Sequence, residues 1–205
     1  VSERQDGGVR GRGARTREAA QQVALRLFTE QGYEATSLRQ IADELGINKA
    51  SLYYHFDGKE AIVRSLLEQR GDEAEELLAW VREQPPSPQL LADAVLRWVE
   101  SFTAEKLQGI RFLAANPRLL AGLTDGEEPR VGVGLSQLAD DLGELLPERT
   151  AETVVLLRMA LLSINAAVQA AASTDASDDA VIAAARRAAR IVTSDLLAGT
   201  TADRP

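Results

Sequence analysis

Residues Thr36 to Phe56 read TSLRQIADELGINKASLYYHF, and the spacing within this window decides how the N-terminal part of the chain folds. Ser37 followed three residues later by Gln40 is a capping box, so a helix begins there and runs through Leu38, Ile41, Ala42 and Leu45 until Gly46 ends it. Asn48 caps a second short helix, Lys49 to His55. Two short helices can cross steeply only if three conditions hold. A small residue must sit at their contact, a residue free of a Cβ penalty must occupy the turn, and branched apolar side chains must fill the wedge. Ala42, Gly46 and Leu52 take those places, and Ile41, Leu45 and Ile47 supply the rest of the core. The pattern predicts a helix-turn-helix whose second helix faces the major groove of DNA, with a plain helical hairpin as the other arrangement it allows.

The outer side of that second helix separates the two. Lys49, Ser51, Tyr53, Tyr54 and His55 make a poor core and a good set of phosphate and base-edge contacts. Two adjacent tyrosines cannot both point inward, so one ring is expected beside Phe56 while the other offers its hydroxyl to a phosphate. Lys59 follows in the first turn of the next helix, where free backbone N–H groups favour an anion.

Working outward, helical periodicity continues in both directions. Ala20, Val23, Ala24, Leu27 and Phe28 line one face of a helix from Thr16 to Gln31, with Gly32 as its stop. Asp57 and Glu60 open a long helix that ends before Pro85-Pro86 and is long enough to bridge two bodies. Ser87 and Pro88 start the next one, and Lys106 to Ala115 forms another before Asn116-Pro117. Thr124 to Gly134, rich in glycine, reads as a mobile loop. Helices around Leu135–Leu146, from Thr150 to Ala172 and from Asp178 to Leu197 complete an all-α chain with no sheet. The domain plan is a flexible basic arm (1–15), a helix-turn-helix domain (16–60), an effector-binding and dimerisation domain (61–199) and a tail (200–205).

Composition restricts the chemistry. The 205 residues contain no cysteine and a single histidine, which excludes disulfides, a thiol nucleophile and metal sites that need sulfur or two imidazoles, so no metal and no cofactor is expected. No apolar run spans a bilayer, and a cytoplasmic location without membrane contact is the default expectation. The net charge of −8 would repel nucleic acid, but it is unevenly placed. Residues 1–64 hold ten basic against nine acidic side chains, while the remainder holds thirteen against twenty-two. Five arginines and four glycines crowd into the first seventeen residues. Carboxylate pairs such as Asp140-Asp141 lie in exposed helical patterns without a partner histidine or a phosphate loop, so catalysis is not expected.

The stretch AAQQVALRLFTEQGYEATSLRQIADELGINKASLYYHFDGKEAI resembles the DNA-binding domain of the TetR family of bacterial repressors, from LF-x-E-x-GY through IA-x-x-LGI to LYYHF and KE. The resemblance covers roughly the first 65 residues. It implies a homodimer on a palindromic double-stranded operator, released by a small-molecule effector held in the C-terminal domain. It also implies that Thr36, Ser37, Tyr53, His55 and Lys59 hold phosphates, while Lys49, Ala50 and Tyr54 lie nearest the bases. Arg39 and DNA shape would add specificity, and Arg15 and Arg17 would contact a groove or phosphates.

Beyond that segment the residues carry less information. Val154, Leu157, Leu161, Ile164 and Val168 share one side of an alanine-rich helix and are candidates for a four-helix dimer interface. Trp98, Phe102, Phe112 and Met159, with Asn165 and Gln169 as polar groups, are candidates for an effector pocket. The alternative function is a helix-turn-helix protein without a small-molecule effector, controlled by a protein partner or acting architecturally. An exposed apolar patch would favour that alternative, and an enclosed cavity would favour the effector.

Overall fold

The computed structural model describes residues 6–124 and 129–198. The expected tail, residues 1–5 of the expected arm and residues 125–128 of the expected loop lie outside that range. Among the described residues the secondary structure is entirely helical: α1 (Asp6–Gln31), α2 (Leu38–Glu44), α3 (Lys49–His55), α4 (Lys59–Glu83), α5 (Pro88–Glu100), α6 (Ala104–Ala115), α7 (Pro117–Leu123), α8 (Arg130–Gly143), α9 (Ala151–Leu161), α10 (Ser163–Ala171) and α11 (Asp178–Ala198).

The chain forms two compact units. One runs up to Leu67 and takes in the segment that begins at Phe112; the other holds Glu68–Arg111 and the remainder. The N-terminal unit is thus larger than residues 16–60. Phe112 and Leu123 complete its core beside Ala24, Phe28, Ile41, Ala42, Leu52, Phe56 and Ile62. The Phe112 ring lies 5.5 Å from Phe28 and 6.1 Å from Tyr33, within the range of favourable aromatic pairs. Inside this unit the Gln21 side-chain amide donates to Ser65 Oγ at 2.8 Å, which satisfies two buried polar groups.

Four expectations need correction. Helix α1 starts at Asp6, so residues 6–15 continue a helix where a flexible arm was expected. Glycine lowers helix stability by about 1 kcal/mol per residue but does not end a helix, and arginine is a good former. Thr150 to Ala172 is two helices bent by 64°, broken at Leu162, whose φ of −88° and ψ of 5° leave the helical range without glycine or proline. Pro117 opens a short helix where only a stop was read. The loop after Thr124 is shorter than expected because α8 begins at Arg130 and includes Gly132 and Gly134. Gly134 serves close packing: a Cβ built there would lie 3.0 Å from Ala74 Cβ on α4, and one on Gly71 would lie 2.9 Å from Arg130 Cβ.

In the second unit Ala74, Leu77, Leu91, Val95, Trp98, Leu138, Leu142, Leu157, Leu161, Ile164, Ile182 and Ala189 form one core from α4, α5, α8, α9, α10 and α11. Among the described residues no single helix is long and apolar enough to cross a membrane. The bent pair α9–α10 would pass on length and composition together, but its inner residues are part of this core.

Candidate nucleic-acid interface

The capping box at the start of α2 is complete. Gln40 N donates to Ser37 Oγ at 3.2 Å and Ser37 N donates to Gln40 Oε1 at 2.8 Å, a reciprocal cap worth about 1 kcal/mol. Gly46 has φ +66°, the left-handed conformation the turn requires, and Ile47 N then reaches back to Ala42 O at 3.0 Å. Asn48 Oδ1 accepts from Ser51 N at 2.7 Å and starts α3. Ala42 and Leu52 are buried at the crossing, so all three steric positions of the helix-turn-helix are filled as their spacing predicts.

With Leu52 and Phe56 turned inward, α3 presents Lys49, Ala50, Tyr53 and Tyr54 to solvent. Neither tyrosine packs beside Phe56. Tyr53 is 43% exposed and Tyr54 86%, because one turn of helix offers a single inward position and Leu52 occupies it. Lys49 Nζ lies over the Tyr53 ring at 5.1 Å, one helical turn away. Tyr54 meets the half-buried His55 edge-on at 5.2 Å, which stiffens the most protruding ring. Ser51 is half-buried. Arg39 on α2 is exposed, and its 3.7 Å pairing with Asp43 is an open surface contact that exchanges readily with another anion. Ser37 is exposed but its hydroxyl is engaged in the cap, and Arg15 is exposed on α1.

Three residues assigned to phosphate or groove contacts make internal contacts in this structure. Thr36 is buried, and its hydroxyl lies within hydrogen-bond reach of Gly32 O at 2.9 Å and Leu27 O at 3.3 Å, which closes the end of α1. Lys59 Nζ donates to Tyr33 O at 2.6 Å and Glu34 O at 3.3 Å and lies over the Tyr33 ring at 4.5 Å. Arg17 Nη1 donates to His55 O at 3.2 Å, and its guanidinium covers the Phe56 ring at 4.7 Å. Arg17 satisfies a carbonyl at the C-terminal end of α3, as cations near helix ends do, and Lys59 satisfies two carbonyls of the loop between α1 and α2. Arg17 therefore positions the end of α3. Gly13 belongs to the same support: a Cβ on it would lie 3.8 Å from His55 Cε1.

Burial, followed by the charges of Glu60 and Glu34, pushes the Tyr33 phenol up to about 12. An unfolded tyrosine releases its proton near pH 10, so the unfolded chain binds fewer protons than the folded one above that pH. Stability should therefore fall between pH 10 and about 12, and Tyr33→Phe should remove this residue's share of the alkaline loss in a denaturation series.

The expected effector and dimer residues do not gather as predicted. Trp98 and Phe102 meet edge-on at 5.5 Å in the core of the second unit, while Phe112 belongs to the core of the first. Met159, Asn165 and Gln169 are exposed, because the bend at Leu162 and the helical period turn Ile164 and Val168 inward instead. Of the expected interface residues, Leu157, Leu161, Ile164 and Val168 are buried in the chain's own core and Val154 is half-buried against it. Periodicity identified the inner face of these helices. The large apolar side chains exposed in this unit are Val133 on α8, Val155 and Met159 on α9, Leu162 at the break that follows it, and Ile191 on α11. Arg70, missed in the sequence reading, lies among the second unit's aromatics with its guanidinium 4.2 Å from the Trp98 ring and 4.1 Å from Phe102.

Comparison with known proteins agrees with this geometry. Residues 22–66, which contain the helix-turn-helix, match the model of bacterial regulatory proteins of the tetR family. The chain is 30% identical over 161 residues to the HTH-type transcriptional repressor BepR of Brucella suis, covering 72% of this chain and 77% of that protein. It is 51% identical over 45 residues to the biofilm operon icaADBC negative transcriptional regulator IcaR of Staphylococcus epidermidis, a match limited to 22% of this chain and 24% of that one. The crystal structure of a tetR-family transcriptional regulator from Mesorhizobium loti superposes with a TM-score of 0.59 at 23% identity, over 91% of this chain and 97% of that one, and carries the likeness of fold across both units. By these relationships this chain is a DNA-binding transcriptional regulator and not an enzyme, and it belongs to the tetR family of bacterial regulatory proteins.

Proposed function

We propose that the chain is a cytoplasmic repressor that binds a palindromic operator as a homodimer, one α3 per copy in successive major grooves, and that a small molecule held by the second unit releases it. The observation that carries this reading is the outward face of α3, where Lys49, Ala50, Tyr53 and Tyr54 stand in solvent on a helix anchored by Leu52. A repressor and a negative regulator among its relatives support repression as the output. The exposed apolar side chains Val155 and Met159 on α9 and Leu162 at its C-terminal cap support a second copy as the partner, with Ile191 on the neighbouring α11. Selection from randomised duplexes should enrich an inverted repeat with half-site centres about 34–36 Å apart or a multiple of that. Enrichment of nothing, or of a single half-site, would overturn the reading.

Side chains at the interface should divide by role. Lys49→Ala and Tyr54→Ala should each weaken operator binding by about 1–3 kcal/mol and broaden the selected sequence. Arg15→Gln should weaken binding to all sequences alike and reduce the slope of log affinity against log salt by about 0.9 for each phosphate it no longer neutralises. Arg17→Gln should instead lower thermal stability, because its partners are His55 O and Phe56. An Arg17→Gln protein with unchanged stability and a flatter salt slope would return Arg17 to the phosphate contacts.

A further inference from the structure

Two helices belong to both compact units. Helix α4 passes from the first into the second after Leu67, and α6 leaves the second at Arg111. Within the second unit a single carboxylate joins them. Glu73 on α4 pairs through Oε2 with Arg70, one turn earlier on the same helix, and through Oε1 with Lys106 Nζ on α6 at 3.0 Å. Lys106 Nζ also donates to Ser101 O at 3.0 Å, at the end of α5. The side chains of Arg70, Glu73 and Lys106 are only 15%, 22% and 26% exposed, so salt screens this network much less than a surface pair. Among the described residues the α4 and α6 backbones approach each other at few points, and these long side chains make much of the join.

Stability alone does not explain the buried cation. Arg70 packs against the Trp98 and Phe102 rings, yet its Nη2 has no hydrogen-bond partner. Burial pulls the guanidinium below its ordinary value and the Glu73 charge draws it part of the way back. An apolar side chain at position 70 would meet the same rings without an unpaired guanidinium N–H, and such replacements are often neutral or stabilising. Selecting one helix register over its neighbours is the best attested use of groups of this kind. We propose that Arg70, Glu73 and Lys106 are positioning residues for operator recognition, a clamp that locks α4 to α6 so that the two helices shared by the units cannot shift independently. The proposal rests on the homodimer reading above and names residues that set its geometry. A dimer reads two half-sites only at a fixed spacing, so a looser join weakens the full repeat and spares the half-site.

The chain has no cysteine, so Glu18→Cys on α1 and Asp179→Cys on α11, both exposed, provide one pair of spin labels per chain. In full-length protein diluted with unlabelled copies, pulsed electron paramagnetic resonance should show a narrow distance distribution for this pair. Lys106→Met, which keeps an apolar stem and removes the ammonium, should broaden it, and Lys106→Arg should narrow it again. Lys106→Met should also bind the selected inverted repeat about tenfold less tightly, a part of the avidity of a linked pair, while its affinity for an isolated half-site stays within about twofold of wild type. Arg70→Met should broaden the distribution with Tm unchanged or higher, because Glu73 loses the partner that fixes its carboxylate. A broad distribution in the wild type, an unchanged one in Lys106→Met, equal losses on repeat and half-site, or a large fall in the Tm of Arg70→Met would each overturn the proposal. Two results tell its failure from that of the homodimer reading. Broadening in the variants, with wild-type protein that binds repeat and half-site alike, keeps the clamp and removes the homodimer. An unchanged distribution with the repeat still preferred keeps the homodimer and removes the clamp.

Discussion

Replacing Met159 and Ile191 together by glutamate is expected to turn the proposed dimer into monomers and to lower operator affinity by about a hundredfold or more, the avidity lost when two half-sites are no longer read by one linked body. Both side chains are apolar yet 57% and 60% exposed, on helices whose inner faces are already filled. Exposed positions of this kind tolerate substitution within about 0.5 kcal/mol in the isolated chain. Across a two-fold axis each patch meets a copy of itself, so the double variant introduces four carboxylates to one interface, where desolvation is unfavourable. Light scattering should show the monomer mass with an unchanged Tm, and gel retardation should show the loss of affinity. A variant that remains dimeric would place the interface elsewhere. Leu157→Ala is the informative control: this residue is fully buried in the chain's own core, so its loss should destabilise the fold by about 2–5 kcal/mol without directly disturbing association.

The second large effect is expected at Leu52. This side chain is fully buried beneath α3 and sits on the opposite side of that helix from Tyr54. Leu52→Ala should cost about 2–5 kcal/mol, a large fraction of what a unit of this size possesses, and should abolish DNA binding without removing any group that touches DNA. Hydrogen exchange should rise first in α2 and α3, while the second unit keeps its protection and most of the helical circular dichroism. Leu52→Met, which conserves volume, should lose less than about 1.5 kcal/mol and retain binding. If Leu52→Ala bound operator normally at the same temperature, α3 would not depend on this anchor.

The helix-turn-helix was legible in the sequence because its signals are local. Ser37 with Gln40, Gly46 and Asn48 each act within a turn of their own position, and the structure shows the corresponding bonds and the positive φ. What escaped depends on partners distant in the chain. Glycine reads as a loop signal, whereas Gly71 and Gly134 allow two helices to approach closely. The bend at Leu162 carries neither glycine nor proline. An apolar stripe reports burial without naming what buries it, so Leu157 and Leu161 read as an interface and Met159 as a pocket residue, while the exposed Val155 and Leu162 carry no separate signal. Arg70 had a readable signal: four residues before Ala74 and four after Leu66, it falls on the apolar face of α4. Phe112 could not have been placed by periodicity, since its helix contributes to both units.

The hydrogen bonds of Arg17 and Lys59 to carbonyls within the N-terminal unit bear on the salt dependence of the proposed DNA binding. Of the cations first assigned to DNA, Arg15, Arg39 and Lys49 are left to displace counterions from the duplex, and each displaced ion adds to the dependence on salt. On that proposed contact set, operator affinity should fall less steeply with potassium concentration than it does for a regulator that places more cations on the backbone.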